Sequence, residues 1–284
     1  MIIKDVCLIL EGGGIRSSFT SGILDYFLEK NIIFENIIAT SASSFVVLSY
    51  MSEAKKRLLS FKMLTKDAMP DINFMMENLP VDIFSIIKFL DENLKPIEFE
   101  NIVNSKSKVM VTTTNADTGL MEYFNLNNSS SYIEILNKVS ASCSLPFYFR
   151  PIIIKSKKLF DGGFSDGVPI IRTYKEGFKK ILVVSTRPYG YRKEFSPLDE
   201  KFIYLKKYPR TIHAIENRFI RYNDNFDFLD LLIENNKALL INLDIGNSID
   251  TINIFDYKLC LNLYNLGYEK AKKEYINILN LIKE

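Results

Sequence analysis

The chain has 284 residues, of which 47% are hydrophobic, 13% aromatic and 25% charged; this is enough apolar side chain for one sizeable core and excludes disordered, collagen-like and coiled-coil classes. Lys and Arg number 36 against 34 Asp and Glu, a net charge of +2, too near balance to create a strong overall field toward nucleic acid, which leaves room only for a local basic patch. Cys7, Cys143 and Cys260 are odd in number, far apart and without CxxC spacing, so neither a disulfide framework nor a zinc ribbon is expected, and a reducing, cytoplasmic setting fits best.

Residues 6–10 form a short aliphatic run that reads as a strand buried on both faces, running into the turn Gly12-Gly13-Gly14. A helix is expected from about Arg16, because Phe19, Ile23, Leu24, Phe27 and Leu28 recur at helical spacing and Lys30-Asn31 ends the pattern. Residues 34–40 supply a second strand. It passes directly at Ser41-Ala42-Ser43-Ser44 into what reads as a long helix carrying Phe45, Val46, Leu48, Tyr50, Leu58, Leu59 and Leu64. This βαβα opening implies a parallel sheet.

From about 53 to 107 the pattern turns irregular. Pro70, Pro80 and Pro96 punctuate short helical pieces rich in Met and Phe, an expected helical insertion. Further strands are expected at 108–114, 120–124, 151–155, 180–185 and 238–243, with helices around 133–140 and 170–174 and a turn at Asn115-Ala116-Asp117-Thr118-Gly119. Amphipathic helices at 257–266 and 268–282 are expected to divide at Gly267. The expectation is a single domain spanning 1–284, α/β with a three-layer α/β/α arrangement and a mainly parallel central sheet, extended by helices over about 190–284. Charge at Lys4 and Asp5 argues against a secretory signal. No run approaches the roughly 18 apolar residues of a membrane span.

Three separated segments carry chemistry together. Gly12-Gly13-Gly14-Ile15-Arg16, at the amino end of a helix after a buried strand, points backbone N–H groups into one space and suits an anion, either a phosphate or the oxyanion of an attacked ester. Ala39-Thr40-Ser41-Ala42-Ser43 places Ser41 where a strand turns sharply into a helix, the geometry of a nucleophile elbow, although the flanking positions are Ala39 and Ser43 in place of glycine. Asp161-Gly162-Gly163 reads as a carboxylate held at a strand end by a tight turn. A Ser/Asp pair needs no histidine, which matters because His213 is the single histidine and no glycine-bounded turn presents it. An aspartate whose free pKa is about 3.9 must be raised by its surroundings to act as a base near neutrality.

Each residue also has a plainer reading. Ser41, or equally Ser43 or Ser44, could cap a helix; Asp161 could make an Asx-turn; Asp166, before Gly167-Val168-Pro169, reads as the cap of the next helix and is the reserve candidate for the base. Cys143, with His213 as partner, is a weaker thiol alternative, since Ala141 and Leu145 suggest a buried helix end. Gly12-x-Gly14-x-x-Ser17 could be a degraded dinucleotide fingerprint, but its last glycine is missing and Arg16 would crowd the turn.

The ordered motifs resemble the patatin-like phospholipases, serine acyl hydrolases with a Ser/Asp dyad. Gly12-Gly13-Gly14-Ile15-Arg16 is similar to that family's glycine-rich oxyanion block, Ser41 to its nucleophile, Ala141-Ser142 with Leu145-Pro146 to its middle block, and Asp161-Gly162-Gly163 to its D-G-G/A block. The resemblance covers roughly residues 5–170. The stretch Val183-Val184-Ser185-Thr186-Arg187-Pro188-Tyr189-Gly190-Tyr191-Arg192-Lys193 and the later Leu263-Tyr264-Asn265-Leu266-Gly267-Tyr268 are similar to a bacterial branch of the same family. The resemblance implies that Ser41 attacks an acyl ester, that Asp161 takes its proton, and that the block Gly12, Gly13 and Gly14 holds the oxyanion, with Arg16 holding a phosphate or the loop. It implies a lipid or other ester substrate and no metal or cofactor. It also leaves peripheral membrane contact compatible, and suggests that the Met/Phe-rich insertion, with Met63, Met69, Phe74, Met75, Met76, Phe84 and Phe89, could take an acyl chain. Ala39, Ser43 and Ser17 stand where the family usually has glycine, which keeps open a second reading as a catalytically silent lipid- or partner-binding protein.

Overall fold

The computed structural model describes residues 1–60, 82–195, 205–245 and 256–283. Strand β1 (Ile2–Leu10) lies between β2 (Ile33–Thr40) and β7 (Lys180–Ser185), parallel to both. That central position explains its unbroken apolar run, because both of its faces are covered. Leu8 and Leu10 face one hydrophobic cluster, while Cys7 and Ile9 face a second on the opposite side of the sheet.

The strand order is β5-β6-β3-β2-β1-β7-β8, with β4 also on β3. Here β3 is Lys108–Asn115, β4 Met121–Asn125, β5 Ile152–Ile154, β6 Lys157–Asp161 and β8 Ala238–Asn242. From β8 across to β3 the strands run parallel; β4, β5 and β6 complete the other edge antiparallel.

One face of the sheet is covered by α1 (Ser17–Glu29), α2 (Ala42–Met51), α5 (Tyr132–Cys143), α8 (Tyr257–Lys273) and α9 (Tyr275–Lys283), together with α3 (Ile83–Glu92) and the short α4 (Phe99–Val103). The other face is covered by α6 (Ile170–Lys175) and the long α7 (Pro209–Glu234). The expected three-layer α/β arrangement is present. No described helix is long and apolar enough to cross a membrane.

Three sequence expectations are corrected. Helix α2 ends at Met51 and does not continue through Leu58 and Leu59, because Glu53 and Lys56 adopt φ of 52° and 58° and turn the chain. The Lys56 N–H then bonds Asp25 Oδ2 at 3.0 Å, fixing the turn to α1. Asp166 does not cap α6: the N-cap residue is Pro169, and Asp166 Oδ1 instead accepts a bond from Asn225 Nδ2 at 3.1 Å.

The third correction concerns Gly267, which does not break a helix but lies inside α8. A Cβ at Gly267 would stand 1.9 Å from the Phe19 carbonyl oxygen, and one at Gly22 would stand 2.0 Å from that of Tyr264. The two glycines let α1 and α8 meet backbone to backbone, and the Tyr264 hydroxyl locks the contact by donating to Asp25 Oδ2 at 2.7 Å.

The described part of the insertion is anchored by charge. Arg57, 1% exposed, pairs with Asp91 Oδ1 at 2.6 Å and donates from Nε to the Lys95 carbonyl at 2.7 Å. The Tyr132 hydroxyl bonds Asp91 at 2.9 Å, tying α3 to α5. Leu64, Pro70, Pro80, Met63, Met69, Phe74, Met75 and Met76 lie outside the described residues.

Alanine normally stabilises a helix interior by about 1 kcal/mol over glycine. Gly22→Ala and Gly267→Ala should do the opposite, since overpacking costs about 1–3 kcal/mol or more. Each variant is expected to lower the thermal midpoint, which circular dichroism would read directly.

Candidate active site

Strand β2 passes into α2 through Ser41 alone, whose φ of 54° and ψ of −136° are unusual for a residue with a Cβ. Such backbone costs about 1–3 kcal/mol and persists only where the surroundings impose it. Here the Ser41 N–H donates to Ser142 Oγ at 2.9 Å, and its carbonyl accepts from the Ser44 N–H at 2.8 Å and the Ser44 hydroxyl at 2.6 Å. The Ser41 side chain makes no capping bond; Ser44 does the local tying. Gly12 makes room for the elbow, because a Cβ there would stand 2.5 Å from Ser41 Cβ and 2.9 Å from the Thr40 carbonyl oxygen.

Asp161 reaches Ser41 by sheet register. Strand β3 pairs with β2 up to Thr40↔Thr112, and from the next residue it pairs on the same edge with β6, Thr113↔Asp161. Because β6 runs antiparallel, the carboxyl ends of β2 and β6 meet head to head. Gly162 allows the junction, since a Cβ there would stand 2.1 Å from Thr112 Oγ1. The Asp161 backbone is held by its N–H to the Ser144 carbonyl at 2.8 Å and by Thr114 Oγ1 to its own carbonyl at 2.7 Å.

The Asp161 carboxyl is 1% exposed. Oδ1 accepts the Gly163 N–H at 2.7 Å, while the buried Oδ2 has no hydrogen-bond partner of normal geometry. Burial pushes its pKa up to about 6; the Ser41 hydroxyl, the Gly163 N–H and the charges of Lys193 and Arg218 restrain the rise. A carboxyl so placed can accept a proton near neutral pH.

The glycine block is strapped to the ends of β1 and β7. Glu11, 5% exposed, accepts from the Ser185 hydroxyl at 2.6 Å, the Thr186 N–H at 2.9 Å and the Tyr222 hydroxyl at 2.8 Å. Thr186 Oγ1 in turn donates to the Gly12 carbonyl at 2.7 Å. Gly14 takes a φ of 55° and begins the 3-10 turn Gly14–Arg16 that leads into α1. No hydrogen bond among the described residues takes up the Gly13 or Gly14 N–H.

The positions at which the family's glycines are missing are filled without a clash. Ser43 and Ser17 are both buried, with hydroxyls 3.1 Å apart, and the Ser43 hydroxyl bonds the Glu11 carbonyl at 2.6 Å. Ala39 packs fully buried between Leu10 and Val111. The two serines thus join the glycine block to the elbow by a side-chain link that glycines could not make.

Ser41, Asp161, Gly12, Gly13, Gly14 and Arg16 all line one cavity of about 360 Å³. The insertion contributes apolar walls to it, among them Leu59, Ile83, Ile86, Ile87, Leu90 and Leu94. The segments after β7 contribute Arg187, Lys193, Arg218 and Tyr222.

His213 is exposed on α7 beside Asn217 and does not line this cavity. Asp166 lines a different hollow with Arg172 and Arg221. Cys143 does border the cavity but is the buried end of α5, and burial pushes its thiol pKa far up, which makes it a poor nucleophile. Sequence reasoning missed Glu11, Thr186 and Tyr222. The only available signal for the first two was their position directly after buried strands.

Residues 8–173, more than half of the chain, match the family model for patatin-like phospholipases. The chain belongs to the patatin-like phospholipase family. The Escherichia coli K12 protein described as uncharacterized protein YjjU is 20% identical over 236 residues, which is 79% of this chain and 64% of that protein's length. Among solved structures, VipD from Legionella pneumophila aligns with a TM-score of 0.45 and 12% identity, covering 94% of this chain and 66% of VipD. The type III effector ExoU of Pseudomonas aeruginosa aligns with a TM-score of 0.41 and 10% identity, covering 98% of this chain and 54% of ExoU.

Both site residues carry a measurable stability cost. Ser41→Gly relieves the positive φ and is expected to raise the thermal midpoint above that of Ser41→Ala. For Asp161 the folded pKa of about 6 lies above the ordinary 3.8, so stability falls as pH rises through that window and the full cost applies above it. A shift of about two units corresponds to on the order of 3 kcal/mol. Asp161→Asn should therefore raise the midpoint by several degrees at pH 8 and by much less at pH 4, readable by calorimetry at the two pH values.

Proposed function

We propose that the chain is a serine acyl hydrolase that cleaves carboxylic esters of lipids through Ser41 and Asp161. The observation that supports this reading is the head-to-head meeting of β2 and β6 along β3, with a strained elbow serine just past the end of one strand and a buried carboxyl of raised pKa at the end of the other. Family membership and the apolar cavity wall support it.

In this reading the Ser41 hydroxyl gives its proton to Asp161 as Oγ attacks the ester carbonyl carbon. The carbonyl oxygen becomes an oxyanion facing the Gly13 and Gly14 N–H groups, which have no other acceptor among the described residues. The tetrahedral intermediate collapses, the C–O bond to the alcohol breaks, and Asp161 returns its proton to the departing alkoxide. Water then loses a proton to Asp161 as it attacks the acyl-Ser41 ester; the bond from the acyl carbon to Ser41 Oγ breaks, Asp161 returns the proton to Oγ, and the carboxylic acid leaves with both residues restored. The apolar side chains of α3 take the acyl chain. All reacting groups belong to the protein, the ester and water.

Treatment with a fluorophosphonate should add one adduct to the wild-type mass, none to Ser41→Ala, and a strongly slowed adduct to Asp161→Asn, with a positioned base contributing about 100- to 10,000-fold. Absence of an adduct on folded wild-type protein would overturn the reading. The labelling rate should also follow the ionisation of Asp161, falling about tenfold for each pH unit below about 6 and levelling above it. A rate indifferent to pH between 4 and 8 would remove Asp161 from the base role.

A further inference from the structure

Arg187, Lys193 and Arg218 line the same cavity as Ser41, yet no step of the acyl transfer uses them. All three lie beyond residue 173, where the match to the family model ends, on the segment after β7 and on α7. Arg16 meets them from the glycine block.

Aromatic rings hold all three in place. Lys193 Nζ sits 4.0 Å from the Tyr222 ring centroid, Arg187 Cζ 4.6 Å from that of Tyr191, and Arg218 Cζ 5.1 Å from that of Phe164. An aromatic face attracts a cation but carries no formal charge. Arg16, Lys193 and Arg218 form no ion pair with a carboxylate among the described residues, and the Arg16 side chain, 7% exposed, keeps Nε without any partner. The cavity's carboxylates are Glu11, already taken by three donors, and Asp161. The cations also repel one another: burial and Arg218 bring Lys193 down to about 7, while burial and Arg187 bring Arg16 down to about 10.

The wall is built to stay put. Lys193 is bracketed by its N–H to Asn223 Oδ1 at 2.8 Å and by Asn223 Nδ2 to its carbonyl at 3.0 Å. Its neighbour Arg192 pairs with Asp227 at 2.8 Å and Asp230 at 2.7 Å. These bonds fasten the segment to α7, the helix that carries Arg218 and Tyr222. A flexible surface chain of cations would need no such fastening.

We propose that this wall is a phosphomonoester subsite, and that the substrate is an acyl ester whose alcohol portion carries a terminal phosphate, as in lysophosphatidic or phosphatidic acid. A phosphomonoester presents three terminal oxygens and up to two negative charges, whereas a diester presents two oxygens and one charge. Arg16, Lys193 and Arg218 approach from three separate elements, which suits the group with three oxygens. The substrate assignment rests on Ser41 being the acylating nucleophile; the anion subsite does not.

The test compares 1-oleoyl-glycerol 3-phosphate with 1-oleoyl-glycerol, which differ only in the phosphate. Wild type should favour the phosphorylated ester in kcat/KM, and Lys193→Ala and Arg218→Ala should each reduce that preference by about tenfold or more. Arg218→Lys, which keeps the charge, should retain part of it and guards against a folding artefact. A preference near unity in wild type, or one unchanged in both alanine variants, overturns the substrate assignment. Binding to Ser41→Ala, followed calorimetrically, tests the subsite apart from turnover. The phosphorylated lipid should bind more tightly than 1-oleoyl-glycerol and lose that advantage in the Arg218→Ala double variant. Glycerol 3-phosphate and inorganic phosphate serve as lipid-free sources: binding as tight as the lipid's would assign the wall to a free phosphate compound and overturn the lipid proposal. Should neither ester be cleaved and no fluorophosphonate adduct form, the hydrolase reading fails, and the calorimetric arm alone decides the subsite.

Discussion

One edge of strand β3 has two tenants. Strand β2 occupies that edge up to Thr112 and β6 takes it from Thr113, with no unpaired residue between. Two chains arriving from opposite directions on the same edge of a third strand must end facing each other. The meeting of Ser41, just past the end of β2, with the Asp161 side chain, at the end of β6, is therefore set by backbone pairing and not by side-chain packing. The close approach forbids a Cβ at Gly162, and the elbow forbids one at Gly12. The glycine block, the mutual serine link and the Glu11 strap then close around a junction that the sheet has already made.

The same junction sets the electrostatic problem of the cavity. A carboxyl sealed beneath the elbow loses its water and resists ionisation, and the basic wall partly restores the charged form. Lys193 and Arg218 thus act on Asp161 from a distance while remaining available to a ligand. Any anion that settles on that wall would also alter the field felt by the carboxyl, so substrate recognition and base strength are linked through the same charges.

The opening β1, glycine block, α1, β2 and elbow are readable from sequence because each is announced locally, by an apolar run, a glycine cluster or a change of period. Strand β6 is not legible as a strand of its own, although Asp161 reads as a residue at a strand end. Its hairpin with β5 turns through Lys155 and Ser156, both at positive φ. Such turns usually announce themselves with Asn-Gly or Asp-Gly, and Lys-Ser gives no such notice. Gly267 misleads for a related reason: a glycine that admits a neighbouring backbone looks in sequence like one that ends a helix. The basic wall is invisible in sequence because Arg16, Arg187, Lys193 and Arg218 are brought together only by the packing of the glycine block, the segment after β7 and α7.

The close approach of backbones at Gly22 and at Gly267 ties the first helix of the chain to one formed more than two hundred residues later. Helix α1 is the support behind the glycine block, and one of its long flanks remains bare until α8 is in place. During synthesis the elbow, the carboxyl and the sheet that joins them can all form before that happens. The glycine block would still rest on an unbraced helix. Loop closure of this range is slow to reward, so the order of the chain itself delays a finished site until α8 has been made and docked.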